Sequence, residues 1–279
     1  MIKNDFQVLP FYASLEEHNH RKSYAYGHIC PVITDSKFLP SFQIQLDNGE
    51  GFDITPPKNA GDIFAAAYLK DLNDNIVMDL KMFFVSNMRF IKGSSENLVV
   101  GAVLPPARII DLPLGEYYIH IRTAKKLDLY SEVICITDFI ADKIALTWYD
   151  LTDLNIGNNY AMQYGNGYRN FAFFNSEVGK PNYELDEEGE ERDGYFFAEK
   201  QISKKTYRFT FVAPEYMCDI LRLAPMSDTA VITYKNKSHR CDSILVNVDW
   251  EDQGDLANVE IEFTTDSIIK KIATKWPKR

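Results

Sequence analysis

The stretch Ala257-Asn258-Val259-Glu260-Ile261-Glu262-Phe263-Thr264 alternates an apolar residue with a polar one at every step. Successive side chains of a β-strand point to opposite faces, so this pattern predicts a strand with one buried face and one polar face. It lies within a longer region, Tyr207 to Lys271, that contains further segments of the same kind. The fold of the chain is predicted outward from this region.

The segment that precedes this strand predicts a second strand and one short helix. Tyr207-Arg208-Phe209-Thr210-Phe211 alternates aromatic with polar side chains, as a half-buried strand does. Apolar residues then recur at helical spacing over residues 214–224, which start with Pro214 and Glu215 and are followed by Pro225. Proline and an acidic residue favour a first helical turn and proline ends a helix, so we expect about three turns that cover the sheet.

A hairpin is predicted between the helix and the last strand. Residues 230–234 and 240–248 are rich in apolar and β-branched residues, and Lys235-Asn236-Lys237-Ser238 between them has the composition of a turn. Four residues of its second half are expected to share one face: Ile244, Val246, Val248 and Trp250. Residues 139–279 are therefore predicted to form a β-sheet or barrel domain crossed by the one helix at 214–224.

The N-terminal part is predicted to be β-rich as well. Short strand-like segments separated by turns recur between residues 41 and 138, at a spacing typical of an antiparallel β-sandwich of the Ig-like kind. Residues 1–40 are interrupted by Pro10, Pro31 and Pro40, and they are interpreted as an irregular N-terminal arm or as edge strands. The whole chain is thus expected to be mainly β.

Composition limits the class of protein. The 279 residues are 46% hydrophobic, which is enough to bury a core, and 40 acidic against 30 basic residues give a net charge of −10. This charge disfavours nucleic acid as a partner. No apolar run approaches the roughly 20 residues that a bilayer crossing requires, so no membrane partner is expected. The polar residues 1–5 lack the apolar core of a secretion signal, and the chain is expected to stay where it is made.

No metal or other cofactor is predicted. His18, His20, His28 and Cys30 are ligand types that suit zinc, but their spacing fits no zinc module, and a surface loop is the preferred interpretation. The acidic run 184–193 lacks the alternating pattern of a calcium loop, and it is interpreted as a solvated loop or as an electrostatic contact with a basic neighbour. Four widely spaced cysteines are interpreted as reduced core residues: Cys30, Cys135, Cys218 and Cys241.

No catalytic residues are predicted, and we expect that the chain is not an enzyme. Asp111, Glu116 and His120 are the types found in hydrolytic trios, but no nucleophile elbow or spaced carboxylate pair accompanies them. Carboxylate pairs for sugar hydrolysis can be drawn from any of the 40 acidic residues, so their presence decides nothing.

A candidate ligand surface lies in the Gly- and Asn-rich segment 155–170, which contains Tyr160, Tyr164 and Tyr168. Glycine and asparagine mark turns by themselves, so the segment is expected to be an ordered loop or hairpin tip. Exposed aromatic residues on β-sandwiches commonly hold sugars. A surface row of these tyrosines with Trp148 would therefore favour the alternative function, a carbohydrate-binding protein.

Four segments of the C-terminal half form a recognisable set: Gly189 to Phe197, Glu199 to Ser203, Tyr207 to Tyr216, and Trp250 to Ile272. Together they resemble proteins encoded by phages and prophages of Bacteroidetes, and weaker similarity extends to Leu9-Pro10-Phe11-Tyr12, Phe42-Gln43-Ile44-Gln45 and Tyr130-Ser131-Glu132-Val133. The resemblance implies a virion structural protein, a tail or tail-adjacent ring subunit, with no catalytic residues. A sheet with one helix after a β-sandwich is also similar in outline to phage distal tail proteins, which close into rings.

A subunit of this kind acts through protein-protein interfaces, and the separation of charge along the chain is interpreted as indicating where they lie. The alternative interpretation is that both charged segments are simply solvated surface. The interface candidates are the acidic segment with its arginine and the two lysines near the C-terminal end: Glu187, Glu188, Glu190, Glu191, Arg192, Asp193, Lys270 and Lys271. Lys200, Lys204 and Lys205 are further basic counterparts. The expected partners are other copies in a homo-oligomeric ring and other virion proteins, and the expected location is the virion, after synthesis in the bacterial cytoplasm.

Overall fold

The computed structural model describes residues 7–26, 32–37, 39–40, 42–47, 64–87, 89–92, 97–101, 111–138, 142–151, 154–156, 162–164, 169–250 and 254–271. It confirms the predicted fold class, because the chain is mainly β and its strands form several sheets. Buried side chains on both sides of residue 139, for example Ile121 and Ile261, belong to one hydrophobic cluster.

The described strands of the N-terminal half are β1 (Phe11–Tyr12), β2 (Val32–Asp35), β3 (Gln43–Asp47), β4 (Phe64–Asp71), β5 (Ile76–Asp79), β6 (Arg89–Lys92), β7 (Asn97–Gly101), β8 (Gly115–Thr123), β9 (Asp128–Ser131) and β10 (Ile134–Thr137). Those of the C-terminal half are β11 (Ile144–Tyr149), β12 (Leu154–Ile156), β13 (Met162–Tyr164), β14 (Asn170–Phe174), β15 (Asn182–Arg192), β16 (Tyr195–Pro214), β17 (Thr229–Tyr234), β18 (Lys237–Arg240), β19 (Ser243–Trp250) and β20 (Leu256–Lys271). The described helices are α1 (Leu15–Tyr26), α2 (Lys81–Asn87), α3 (Glu215–Leu221) and a 3-10 turn (Ala224–Met226).

The first sheet is built around β8. Its order is β1-β9-β8-β10-β2, and β4, which carries β5, also pairs with β8. Ile119 and Ile121 of β8 are fully buried on one face of the strand. Tyr118, on the opposite face, is buried as well and contacts His18 of α1. The two edge strands, β1 and β2, come from the first 40 residues, and β2 pairs with β10 in parallel. The sheet is therefore mixed, with one parallel pair among antiparallel ones.

Helix α1 is an element that the sequence pattern did not predict. Its buried positions are His18, Lys22 and Ala25, which lie on one helical face at spacings of four and three. Two of these three residues are polar, so the helix has no apolar periodicity that would mark it. In the described part of the chain, no helix has the length and apolar character needed to cross a bilayer.

The last strand has the predicted alternation. Ala257, Val259, Ile261 and Phe263 of β20 are buried, whereas Asn258 is exposed. The sheet that contains it has the order β15-β16-β20-β19 and is antiparallel. The remaining sheets have the orders β14-β11-β17-β18, β3-β7-β6 and β12-β13.

The predicted helix is present but shorter than residues 214–224. Pro214 is extended, with φ −74° and ψ 164°, and precedes the first helical residue, Glu215. The helix ends at Leu221, and Pro225 lies in the following 3-10 turn. Four of its residues are buried: Met217, Cys218, Ile220 and Leu221. They belong to the same cluster as the buried face of β20, so the helix covers the sheet as expected.

The predicted hairpin is divided between two sheets, which corrects the sequence interpretation. Lys235 and Asn236, with φ of 48° and 60°, form a two-residue turn, and β18 pairs with β17 directly after it. The chain then crosses over at two residues. Cys241 N–H donates to the carbonyl of Ala230 at 2.9 Å, and Asp242 N–H donates to the carbonyl of Thr264 at 2.9 Å. The strand that follows, β19, therefore pairs with β20 in the other sheet.

Candidate protein-interaction surface

Strands β15, β16 and β20 extend past the hydrophobic core as a three-stranded ribbon, which consists of residues 182–205 and 267–271. The last buried residues on β16 and β20 before the ribbon are Thr206 and Thr265. Within the described side chains of the ribbon, every residue is exposed or only partly buried. The ribbon therefore presents both of its faces to solvent.

The acidic run is a strand, not the loop that its composition predicted. Lys200 Nζ lies 2.8 Å from Glu188 Oε1, and Lys204 Nζ lies 2.5 Å from Asp186 Oδ2. Opposite charges on neighbouring strands stabilise a sheet, which explains how a segment with poor strand propensity forms β15. Lys200 and Lys204, two of the basic residues named from the sequence, are thus partners of the acidic run within the same chain.

The ribbon turns at Asp193-Gly194, where both residues have positive φ, 54° and 79°. Two such residues form the type I′ turn that matches the twist of a hairpin, and Asp-Gly is a preferred sequence for it. The Asp-Gly dipeptide between Arg192 and Tyr195 is a signal in the sequence that would have located this hairpin.

Large apolar side chains of the ribbon lie in solvent. Tyr183 is 68% exposed and Leu185 61% on β15, and Ile268 is 68% and Ile269 59% exposed on β20. Near the turn, Tyr195 is 72% exposed and Phe196 50% exposed. Exposed apolar residues that cluster on one element mark interaction sites, whereas scattered single ones do not. These residues were not among the sequence-based interface candidates, because the sequence does not show that the ribbon extends beyond the hydrophobic core.

The sequence-based candidates are placed as follows. Glu187, Glu188, Glu190, Glu191 and Arg192 belong to β15, Asp193 lies in the turn, and Lys270 and Lys271 end β20. In the sheet register, Glu187 pairs with Gln201 and Gln201 with Lys270, while Glu188 pairs with Lys200 and Lys200 with Lys271. Glu187 and Glu188 on β15 are therefore aligned with Lys270 and Lys271 on β20, and β16 lies between the two strands.

Of the three tyrosines of the candidate ligand surface, the structure describes only the backbone of Tyr164. Tyr160 and Tyr168 lie outside the described residues, and Tyr164 is the last residue of β13, with a side chain outside the described ones. Trp148 is fully buried on β11, because the alternation of this strand places it on the core face. It therefore does not form a surface row with these tyrosines.

The other polar candidates are part of the folded core or its edge. His18 is buried, His20 Nε2 lies 3.5 Å from Asp255 Oδ2, and His28 and Cys30 are outside the described residues. In the described part of the chain, no group of three or more His, Cys, Asp or Glu side chains could hold a metal ion. His120 Nε2 is 2.9 Å from Asp128 Oδ1, and neither Asp111 nor Glu116 is its partner in that bond.

Cys241 lines a cleft of about 360 Å³ beside the crossover between the two sheets, together with Asp228, Arg240 and Asp242. Burial raises the pKa of the Cys241 thiol to about 12. The thiolate is the nucleophilic form of cysteine, so this thiol is inert at neutral pH. The cleft thus supplies polar groups without an activated nucleophile.

Comparisons with known proteins give no identification. No protein-family model, no curated protein and no solved structure matches the chain.

Proposed function

We propose that this chain is a non-enzymatic structural subunit of a phage-type particle, in a tail or baseplate ring, and that it acts through protein-protein interfaces. Its partners are further copies of the chain and other virion proteins, and its location is the virion. The resemblance of four C-terminal segments to phage and prophage proteins supports the type of particle.

One observation carries the proposal of an interface. The ribbon buries no described side chain, yet it holds exposed tyrosine, phenylalanine, leucine and isoleucine on strands that are free of the core. A hairpin that is solvated on both faces is marginally stable by itself, and an exposed apolar strand is prone to pair with other chains. Such an element fits a subunit whose ribbon is covered in an assembly.

The proposal is tested by replacing one exposed residue of the ribbon. Leu185→Asp places a charge where an interface would bury an apolar group. We expect the wild-type chain to form an oligomer in native mass spectrometry and negative-stain microscopy, and the Leu185→Asp variant to lose it. Met82→Asp is the matched control, because Met82 is 71% exposed on α2, away from the ribbon. Leu185→Asp protein that assembles, and enters particles, as the wild type does would contradict the proposal.

A further inference from the structure

The ribbon has two unpaired edges of different character. Among the described residues, β15 pairs with β16 alone, so its outer edge is free along its length. β20 pairs with β19 through Thr264, and Ser267 N–H donates to Asp242 Oδ2 at 3.2 Å. From Ile268 onward, no described strand covers the side of β20 that faces away from β16. Each edge offers backbone groups to an added strand.

The two edges carry opposite charge. Strand β15 contains six carboxylates and one arginine: Glu184, Asp186, Glu187, Glu188, Glu190, Glu191 and Arg192. Residues 267–271 of β20 contain two lysines, Lys270 and Lys271, and no acidic residue. Like charges opposite each other destabilise a strand pair. Pairing of β15 with β15 of another copy, or of β20 with β20, is therefore disfavoured. Pairing of β15 of one copy with β20 of another brings opposite charges together and is favoured.

The register places matching side chains at the same levels of the two edges. Leu185 pairs with Ser203, and Ser203 pairs with Ile268. Two residues further along each strand, where the side chains return to the same face, Glu187 pairs with Gln201 and Gln201 pairs with Lys270. Both β15 and β20 are antiparallel to β16, so they run in the same direction. When two ribbons lie side by side without a shift, an apolar residue therefore meets an apolar one, and a carboxylate meets an ammonium group.

We propose that β20 of one copy adds in parallel to the outer edge of β15 of the next copy, with Ile268 beside Leu185 and Lys270 beside Glu187. This rests on the proposed function and names its partner as a second copy of the chain. The contact uses different surfaces on the two copies, so repetition produces a closed ring or an open filament rather than a twofold dimer. It covers Leu185 and Ile268, two of the exposed apolar residues of the ribbon.

Disulfide cross-linking tests the contact directly. Within one chain, Leu185 and Ile268 are separated by β16, so their Cα atoms are about two strand spacings, roughly 9 to 10 Å, apart. A disulfide requires Cα atoms within about 7 Å. The variant Leu185→Cys, Ile268→Cys is therefore expected to cross-link between copies only, and to give a series of covalent multimers on a non-reducing denaturing gel.

Three controls fix the interpretation. Leu185→Cys alone and Ile268→Cys alone report cross-links to the four native cysteines. Leu185→Cys with Ile269→Cys places the second thiol on the opposite face of the strand, and it is expected to give no series. An oligomer that persists without cross-links overturns this contact and leaves the proposed function intact. A wild-type chain that remains monomeric and gives no cross-links overturns the contact, and its incorporation into particles then decides the proposed function separately.

A charge exchange gives a second, independent readout. Lys270→Glu places a carboxylate beside Glu187 of the neighbouring copy, and Glu187→Lys places an ammonium group beside Lys270. Each variant alone is expected to lose oligomer at low salt, and the combination of both changes in one chain is expected to restore it. Oligomer formation by either single variant equal to that of the wild type would contradict the pairing.

Discussion

The imidazole ring of His18 is stacked on the phenol ring of Tyr130, with 4.9 Å between the ring centroids and 23° between the ring planes. Tyr118 contacts the same imidazole from another side, with ring centroids 4.3 Å apart. Helix α1 is thereby packed on β8 and β9 through a buried histidine. Burial, together with the positive charge of Lys22, lowers the pKa of His18 from 6.5 to about 4.

This histidine makes stability depend on pH. The unfolded chain takes up the proton near pH 6.5, whereas the folded chain does so only near pH 4. Stability contributed by the neutral ring is therefore present above pH 6.5 and is lost as the pH falls from 6.5 to 4, by about 3 kcal/mol in all. Denaturant unfolding at a series of pH values measures this loss.

The variant His18→Phe removes the titration while keeping an aromatic ring. We expect its free energy of unfolding to fall less between pH 6.5 and 4 than that of the wild type. Leu15→Phe, an aromatic substitution at a 55% exposed position of the same helix, is expected to keep the wild-type slope. An unchanged slope in His18→Phe would show that His18 is not the group responsible.

The core and the ribbon share the strands β16 and β20, and isoleucines at two positions on β20 are expected to behave differently. Ile261 is fully buried and Ile269 is 59% exposed. Ile261→Ala creates a cavity and is expected to reduce the free energy of unfolding by about 2 to 5 kcal/mol. Ile269→Ala is expected to change it by less than about 0.5 kcal/mol in the monomer. Equal effects of the two changes on urea unfolding would contradict the placement of the core boundary.

The sequence predicts what depends on local alternation and misses what depends on distant partners. Strand β20 was predicted from its period of two, because one face meets the core along its first half. Helix α1 was missed because its buried face includes Lys22, whose ammonium group is 2.8 Å from Asp74 Oδ1 in the turn between β4 and β5. A buried lysine is tolerated only with such a partner, and the sequence does not show which residue supplies it.

The acidic strand was missed for the same reason. Carboxylates lower strand propensity, and the lysines that compensate for them follow 12 to 18 residues later, across the turn. Only the hairpin register brings the two charges together. The sequence also does not show that apolar residues of the ribbon, such as Leu185, are exposed, because this follows only from the position of the ribbon outside the core.

A substitution that adds a side chain at Gly194 is predicted to strain the turn of the ribbon locally. Its φ is +79°, and a Cβ added there meets no atom within 4 Å. The variant Gly194→Ala should therefore cost about 1 kcal/mol of backbone strain without a clash. Because the turn lies far from the core, faster hydrogen exchange is expected for the amides of the turn, with unchanged global unfolding. Asp193→Asn is the control, since asparagine tolerates positive φ, and a change in global unfolding for Gly194→Ala would contradict the prediction.

The ion pair between Glu188 and Lys200 is expected to hold β15 to β16 weakly but measurably. The Lys200 side chain is 32% exposed and that of Glu188 is 65% exposed, so solvent screens the pair. A double-mutant cycle with Glu188→Ala and Lys200→Ala should give a coupling of about 0.2 to 1 kcal/mol for local opening of the ribbon, measured by hydrogen exchange, and less at 1 M salt. Glu184 pairs with Lys204 in the register and not with Lys200, so the cycle of Glu184 with Lys200 is the control and should give no coupling. A coupling of zero for Glu188 and Lys200 at low salt would show that this ion pair does not help to hold the acidic strand in place.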